Sequence, residues 1–373
     1  MLFRSNRYVI LGAGTAALSA ATAIRERDAS GSIVMISEED ELPYNRPMLT
    51  KNMFAGAEPQ VFTIHDKAWY EEKKIDLAFG KKITSIDPEA KKVIMEDGQV
   101  YEYDKCVYAL GSHFFVPPFE GHDDPHITTI RTLADIAKVA DFLKNGKRAA
   151  VIGGGVVGLE AAWELRKYGC DVTILEAMPS LMSNKLDPTA SHMLQELFER
   201  KGIHILASAN TKKYEDGALY LEDGTVVPVD VVVVSCGVRA NSAIAEAAGV
   251  KLGRAILVND KMETNIPDLY AAGDCVEFEG MNYALWPEAT DQGEVAGANA
   301  CGDEMHYESQ IFGMTMHVAE TELFAIGKTS GPDAFRTVEF KDPNRDTLKK
   351  YFFLNDILCG VTLIGDTSDM AEV

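Results

Sequence analysis

The chain has 373 residues, of which 46% are hydrophobic and 25% charged, and a formal net charge of −21. That length suits two or three domains with sizeable cores, and the acidity repels nucleic acid and anionic membrane surfaces alike. Six cysteines are scattered at 106, 170, 236, 275, 301 and 359 without a Cys-x-x-Cys pair, which argues against a disulfide framework, a structural zinc or an iron–sulfur site and fits a reducing cytoplasm.

The first apolar run, Tyr8–Leu11, is too short for a membrane span and lacks the pattern of a secretory leader, so a cytoplasmic location is expected. It enters a turn on Gly12 and Gly14, and an alanine-rich segment from Leu18 to Arg27 follows at helical spacing. Gly12 permits a tight turn, and Gly14, with Thr15 and Ala16 behind it, allows close approach to a pyrophosphate at the helix N-terminus. A second strand from Ser32 ends at Glu38, 26 positions beyond Gly12. The acid that accepts ribose hydroxyls is expected about 20 residues on. The loop Leu42–Lys51 carries two prolines and presents Arg46 and Lys51. An amphipathic helix spans Asp66 to Lys73, and Asp97-Gly98 signals a hairpin between 91–95 and 99–103. The strand from Lys105 runs through Ala109 into Gly111.

Residues 117–125 read as a linker and 132–144 as a helix. The opening pattern then returns as an apolar strand into Gly153-Gly154-Gly155-Val156-Val157-Gly158, and its second strand ends at Glu176, 23 positions beyond Gly153. This duplication is the strongest signal in the chain. A hairpin at Asp223-Gly224 and a buried strand, 229–235, lead to Cys236 and Gly237. Tyr270-Ala271-Ala272-Gly273-Asp274-Cys275 puts a carboxylate at the carboxyl end of a strand, where ligands bind in parallel sheets. A helix over 287–300 begins just after Trp286, and residues 307–373 alternate as a small antiparallel sheet.

Together these motifs resemble the FAD-dependent pyridine nucleotide–disulfide oxidoreductase superfamily across about residues 7–302. Tyr44-Asn45-Arg46-Pro47-Met48-Leu49-Thr50-Lys51 resembles its NADH:rubredoxin reductase, ferredoxin reductase and nitrite reductase branch. The resemblance implies an α/β fold with two Rossmann-like dinucleotide-binding domains and a short α+β C-terminal domain. An FAD-binding domain over 1–113 and 240–305, an NAD-binding domain over 114–239 and a small domain over 306–373 are expected. The first glycine turn then binds FAD and the second NADH. Glu38 holds the adenosine ribose, Arg46 the pyrophosphate region and Asp274 the ribityl chain. The backbone at Ile83 meets the adenine, Ala109 to Gly111 line the FAD, Gly237 and Gly273 add cofactor contacts, and Trp286 serves either as a packing anchor or as a flavin contact.

By the same resemblance Lys51 and Glu160 form the pair beside flavin N5, and the helix after Trp286 aims its positive end at the ring. Glu176 accepts ribose hydroxyls and repels a 2′-phosphate, and 177–184 hold no Lys or Arg to bind one, so NADH is expected over NADPH. Residues 38–60 lack the cysteine or cysteine pair of the thiol-dependent relatives, so electrons leave the flavin directly. The expected reaction is hydride transfer from NADH to FAD and electron delivery to a small redox protein, rubredoxin first. An NADH oxidase, a nitrite-reductase flavin module and a flavin-based redox sensor are the alternatives. Lys341, Arg345, Lys349 and Lys350 are the cations available for carrier docking, and the C-terminal domain serves either that docking or a homodimer interface.

Overall fold

The structure, a computed structural model, describes residues 5–52, 54, 62–331 and 335–373. Its α-helices are α1 (Thr15–Arg27), α2 (Met48–Lys51), α3 (Lys67–Glu72), α4 (Leu133–Phe142), α5 (Val156–Lys167), α6 (Pro188–Arg200), α7 (Ala243–Ala247) and α8 (Trp286–Ala300). None of these is long and apolar enough to cross a membrane. The described residues fall into two compact units: one within Met1–Pro47, Glu58–His113 and Val238–Gln310, the other within Met48–Ala57, Phe114–Gly237 and Ile311–Val373.

The first unit is built on a parallel sheet in the order Leu269–Ala271, Lys105–Tyr108, Arg7–Leu11, Ser32–Ile36, Ile75–Ala78. Its strands are apolar on both faces, as a doubly covered parallel sheet requires. Tyr8, Ile10, Ile33, Met35 and Val107 pack under α1 and α8. Val9, Leu11, Cys106 and Tyr108 face the other way, onto the meander Ile83–Asp87, Lys92–Met95, Val100–Glu102. Leu11 pairs with both Ile36 and Tyr108, so the turns after these three strands emerge along one edge. The expected helix 18–27 starts earlier, at Thr15, because Gly14 is itself the N-cap.

Helices α1 and α8 pack backbone to backbone. A Cβ on Gly293 would lie 2.3 Å from the Ala16 carbonyl oxygen, and one on Gly297 would lie 2.4 Å from that of Ala20. The alanines of α1 and these glycines of α8 therefore form one small-residue seam.

The second unit repeats the plan with a parallel sheet ordered Ile203–Ala207, Asp171–Glu176, Arg148–Ile152, Val231–Val234, Ile127–Thr128. Helix α5 packs on it, and its other face holds Ala150, Ile152, Val232 and Val234 with residues of the meander Thr211–Glu215, Ala218–Leu221, Val226–Pro228. The same unit contains the C-terminal antiparallel sheet, ordered Met314–Val318, Thr321–Gly327, Ile357–Ile364, Thr347–Leu354, Arg336–Asp342. Buried Lys350 joins that sheet to α6: its ammonium lies 2.6 Å from Asp187, the α6 N-cap, and 2.9 Å from Glu339.

Gly293→Val tests the seam. Forcing a branched side chain against the α1 backbone is expected to remove about 1–3 kcal/mol of stability. Thermal unfolding with an unchanged midpoint would contradict the close approach.

Candidate functional site

Each unit carries the same phosphate-sized cradle. Gly12 and Gly153 both sit at φ +115°. A Cβ on either would come within 2.2 Å of the Ala109 carbonyl oxygen or 2.3 Å of the Ser235 carbonyl oxygen, so only glycine fits. Their N–H groups donate to Ile36 and Leu175 at 2.7 and 2.8 Å, tying each turn to its second strand. Gly158 is equally confined, since its Cβ would lie 2.0 Å from the Gly153 carbonyl oxygen.

The helix starts of this chain are capped unequally, and α7 and α8 lack a side-chain cap. Helices α3, α4 and α6 are capped by the side chains of Asp66, Thr132 and Asp187. Helices α1 and α5 start at Gly14 and Gly155, with no side-chain cap and open space where a Cβ would stand. Their first-turn N–H groups, at Thr15, Ala16 and Val156 onward, carry no side-chain cap and have the helix dipole behind them. That arrangement fits a pyrophosphate.

Around the first cradle, Glu38 is exposed just past the strand end. The engaged acid is its neighbour. Glu39 accepts from Tyr44 Oη at 2.6 Å and is ion-paired with Arg46, whose Nη1 donates to Tyr44 Oη at 2.7 Å. Burial opposes the Arg46 charge, but Tyr44, Glu39 and Asp274 outweigh it and hold the guanidinium firmly protonated. Asp274 accepts from Ser112 Oγ at 2.8 Å, and its backbone carbonyl accepts from Asn282 at 2.9 Å. Gly273, at φ +86°, donates to Gln292 of α8 at 2.9 Å, and Thr290 of α8 meets Thr15 of α1 at 2.9 Å. The start of α8, with half-buried Trp286, thus stands beside the start of α1. Ile83 is buried at the head of the meander, Ala109 is buried against Gly12, and Gly111 takes φ +64°.

Around the second cradle, Glu176 Oε2 accepts from the Gly154 N–H at 2.6 Å and Oε1 from the Met178 N–H at 2.7 Å, which aims its carboxylate. Gly237, at φ +84°, is exposed beyond the strand Val231–Val234. Lys51 belongs to this unit, on α2. Its Nζ lies 3.9 Å from Glu160 Oε1, and Glu160 is buried on α5. Thr50 Oγ1 donates to Glu160 Oε2 at 2.6 Å. Burial pushes the Glu160 carboxyl above the usual carboxylate range and Glu164 adds to it, while Thr50 and Lys51 pull it down.

Thr50 and the Glu39–Tyr44–Arg46 triad were missed in the sequence. A hydroxyl beside the predicted lysine, and an acid and a cation bracketing a tyrosine in a proline-bounded loop, were the available signals. The expected carrier-docking patch does not form as a free cationic surface. Lys349 is held by Asp366 and Asp369 at 3.0 and 2.7 Å, Lys350 is buried between Asp187 and Glu339, and Arg345 lies 3.7 Å from Asp342. Alternate residues of a strand point to opposite faces, so adjacent lysines in sequence cannot share one surface.

A family model described as pyridine nucleotide-disulphide oxidoreductase matches residues 6–293, and one described as rubredoxin NAD+ reductase C-terminal domain matches 314–373. The chain is 32% identical over 342 residues to a nitrite reductase (NAD(P)H) of Bacillus subtilis (strain 168), covering 90% of this chain and 42% of that protein. It is 31% identical over 368 residues to an NADH-rubredoxin oxidoreductase of Clostridium acetobutylicum, covering 98% and 92%. The crystal structure of a ferredoxin reductase from Rhodopseudomonas palustris aligns with TM-score 0.90 at 27% identity, over 98% of this chain and 93% of that one. The chain spans less than half the length of the first curated relatives it matches.

One buried acid in the first turn of α8 stands apart. Glu288 is 2% exposed, and neither carboxylate oxygen has a hydrogen-bond partner. Burial, with Asp291 adding repulsion, raises its carboxyl from 4.5 to about 7, the nearby Gln310 N–H offsetting little. The folded state therefore holds this proton more tightly than the unfolded state does. Its stabilising contribution is full below pH 4.5 and is lost as pH rises through about 7. Urea unfolding of the flavin-free chain should show stability falling by about 3 kcal/mol from this group over that window. Glu288→Gln should flatten that part of the profile, and an unaltered slope would count against a buried neutral acid.

Proposed function

This chain belongs to the pyridine nucleotide–disulphide oxidoreductase family, and we propose that it is an NADH-dependent flavoprotein reductase that passes electrons to a small redox protein. The cofactors of the family are FAD and NADH. The observation that carries the proposal is the pair of uncapped glycine turns, one per unit, each with a carboxylate at or just past the end of its second strand. Two dinucleotides, each with its own cradle, are what a nicotinamide-to-flavin transfer requires.

Bound FAD supplies the chemistry that accepts a hydride and releases electrons singly. The Gly12–Thr15 turn binds the FAD pyrophosphate, with Glu38 on the adenosine ribose, Arg46 beside the pyrophosphate and Asp274 on the ribityl hydroxyls. The Gly153–Val156 turn binds the NADH pyrophosphate, and Glu176, already oriented by Gly154 and Met178, takes the ribose hydroxyls. Lys51 would supply a positive charge against the negative charge that develops on reduction, with Glu160 3.9 Å away as its counter-charge. No cysteine lies within 38–60, which supports direct delivery from the flavin to the acceptor.

Rubredoxin is the proposed acceptor, and the match of residues 314–373 to a rubredoxin reductase C-terminal model supports that choice. Since Lys349 and Lys350 are consumed by internal ion pairs, docking draws on other contacts than a lysine patch.

Stopped-flow reduction by NADH followed by reoxidation with a panel of acceptors tests the assignment. Fast reoxidation by rubredoxin and slow reoxidation in air is the expected result; the reverse would make the chain an oxidase, and slow turnover with every acceptor would make it a sensor. Lys51→Ala should slow flavin reduction about ten- to a hundredfold while FAD stays bound. Glu176 should give NADH the higher kcat/KM over NADPH, by at least about tenfold, because a 2′-phosphate meets a carboxylate with no cation to neutralise it. Equal efficiency with both nucleotides would remove Glu176 from that role.

A further inference from the structure

The Lys51–Glu160 pair has an unusual geometry: the two charges are the long contact, and a neutral hydroxyl makes the short one. Lys51 Nζ stands 3.9 Å from Oε1, beyond hydrogen-bond reach, whereas Thr50 Oγ1 lies 2.6 Å from Oε2. Thr50 and Glu160 are each about 5% exposed, while the Lys51 side chain is 47% exposed. Both neighbours come from the single turn of α2, which rests on α5. A second contact anchors the same stretch to α5: Phe54 stacks on Tyr168, the α5 C-cap, at 4.2 Å between ring centroids.

We propose that Thr50 is a positioning residue, whose hydroxyl fixes the Glu160 carboxylate on α5 so that Lys51 is held near its counter-charge without being locked to it. This rests on the reading of Lys51 and Glu160 as the pair that assists flavin reduction.

A buried carboxylate needs hydrogen bonds to stay charged. Glu160 has one short donor, and that donor is Thr50. The charged groups acting on Glu160 are Lys51 from α2, which favours the anion, and Glu164 one turn along α5, which opposes it. Glu164 is itself countered by Lys167 at 2.5 Å. Among the described residues, the strands packed against α5 add no charged group that acts on Glu160. Without the Thr50 hydroxyl, two outcomes compete at Glu160. The carboxyl takes up a proton, which leaves Lys51 without a counter-charge, or it turns and binds the ammonium directly, which ties Lys51 up in a salt bridge. Either outcome weakens the charge that Lys51 can offer. A hydroxyl donor avoids both because it supplies the short bond and carries no charge.

The test uses the FAD-loaded protein with Thr50→Val, which keeps the shape and removes the hydroxyl, and Thr50→Ser, which keeps the hydroxyl. Thr50→Val should lower the limiting rate of flavin reduction about tenfold at neutral pH, the loss expected for a hydrogen bond to a charged group. The NADH concentration for half-maximal rate should move less than about twofold, because the hydroxyl does not touch the nucleotide. The acid limb of the rate profile should shift to higher pH, and Thr50→Ser should restore both rate and profile. Difference infrared spectroscopy of the flavin-free chain gives an independent readout. The protonated-carboxyl band that Glu160→Gln abolishes should persist to higher pH in Thr50→Val.

A wild-type rate, profile and band in Thr50→Val would overturn the proposal. So would a Thr50→Ser variant as impaired as Thr50→Val, since packing alone would then explain the loss. Lys51→Ala and Glu160→Gln are run alongside. If both slow reduction and Thr50→Val does not, only the role of Thr50 falls; if neither slows it, the reading of the pair falls and this inference with it.

Discussion

The structure depends on two points where a glycine is driven against a carbonyl oxygen. At Gly12 and Gly153, both at φ +115°, the chain leaves a strand and enters a helix three residues on, pressed against the residue just past a neighbouring strand. A side chain at either point would collide with Ala109 or Ser235, so the strand end, the turn and the helix start are fixed together. That fixation brings the backbone N–H groups of α1 and α5 to the carboxyl edge of each sheet. The acids at the same edge are placed by neighbouring strands, Asp274 by one and Glu176 by another.

Polar groups are treated unequally around these turns. Helices α3, α4 and α6 are capped by their own side chains, whereas α1 and α5, like α7 and α8, start without one. An uncapped start costs about 1 kcal/mol of stability, which an anion bound there would offset. Arg46 and Glu160 follow the opposite rule. Each has its charged form favoured by polar neighbours, Glu39, Tyr44 and Asp274 for Arg46, and Thr50 and Lys51 for Glu160.

The glycine turns, their acid-ended strands and the strand into Asp274 were legible because each is a local requirement. A positive φ needs glycine, and a strand end needs only its own sequence. The paired units and the antiparallel C-terminal sheet were legible for the same reason, through repetition and period-2 patterning. Contacts assembled across long sequence separations were not. Thr50 and Glu160 are 110 residues apart, and nothing in the spelling of either segment says that the hydroxyl rather than the ammonium makes the short bond. Glu39 hid behind Glu38, which alone had the strand-end spacing. The lysines of the last strands looked like a patch because side-chain direction was not read, and two of them turned out to be spent on Asp187, Glu339, Asp366 and Asp369.

Lys350 has a consequence for how the chain can be taken apart. Its ammonium is buried against the carboxylate that caps α6, so the last strands are keyed into the nucleotide-binding unit by charge as well as by packing. Trimming those strands would uncover a cap acid that had been neutralised. Exchanging them for a foreign C-terminal segment would succeed only if the graft carried a cation to the same spot. For engineering, the last strands belong with the rest of the second unit, and chimeras should be cut elsewhere.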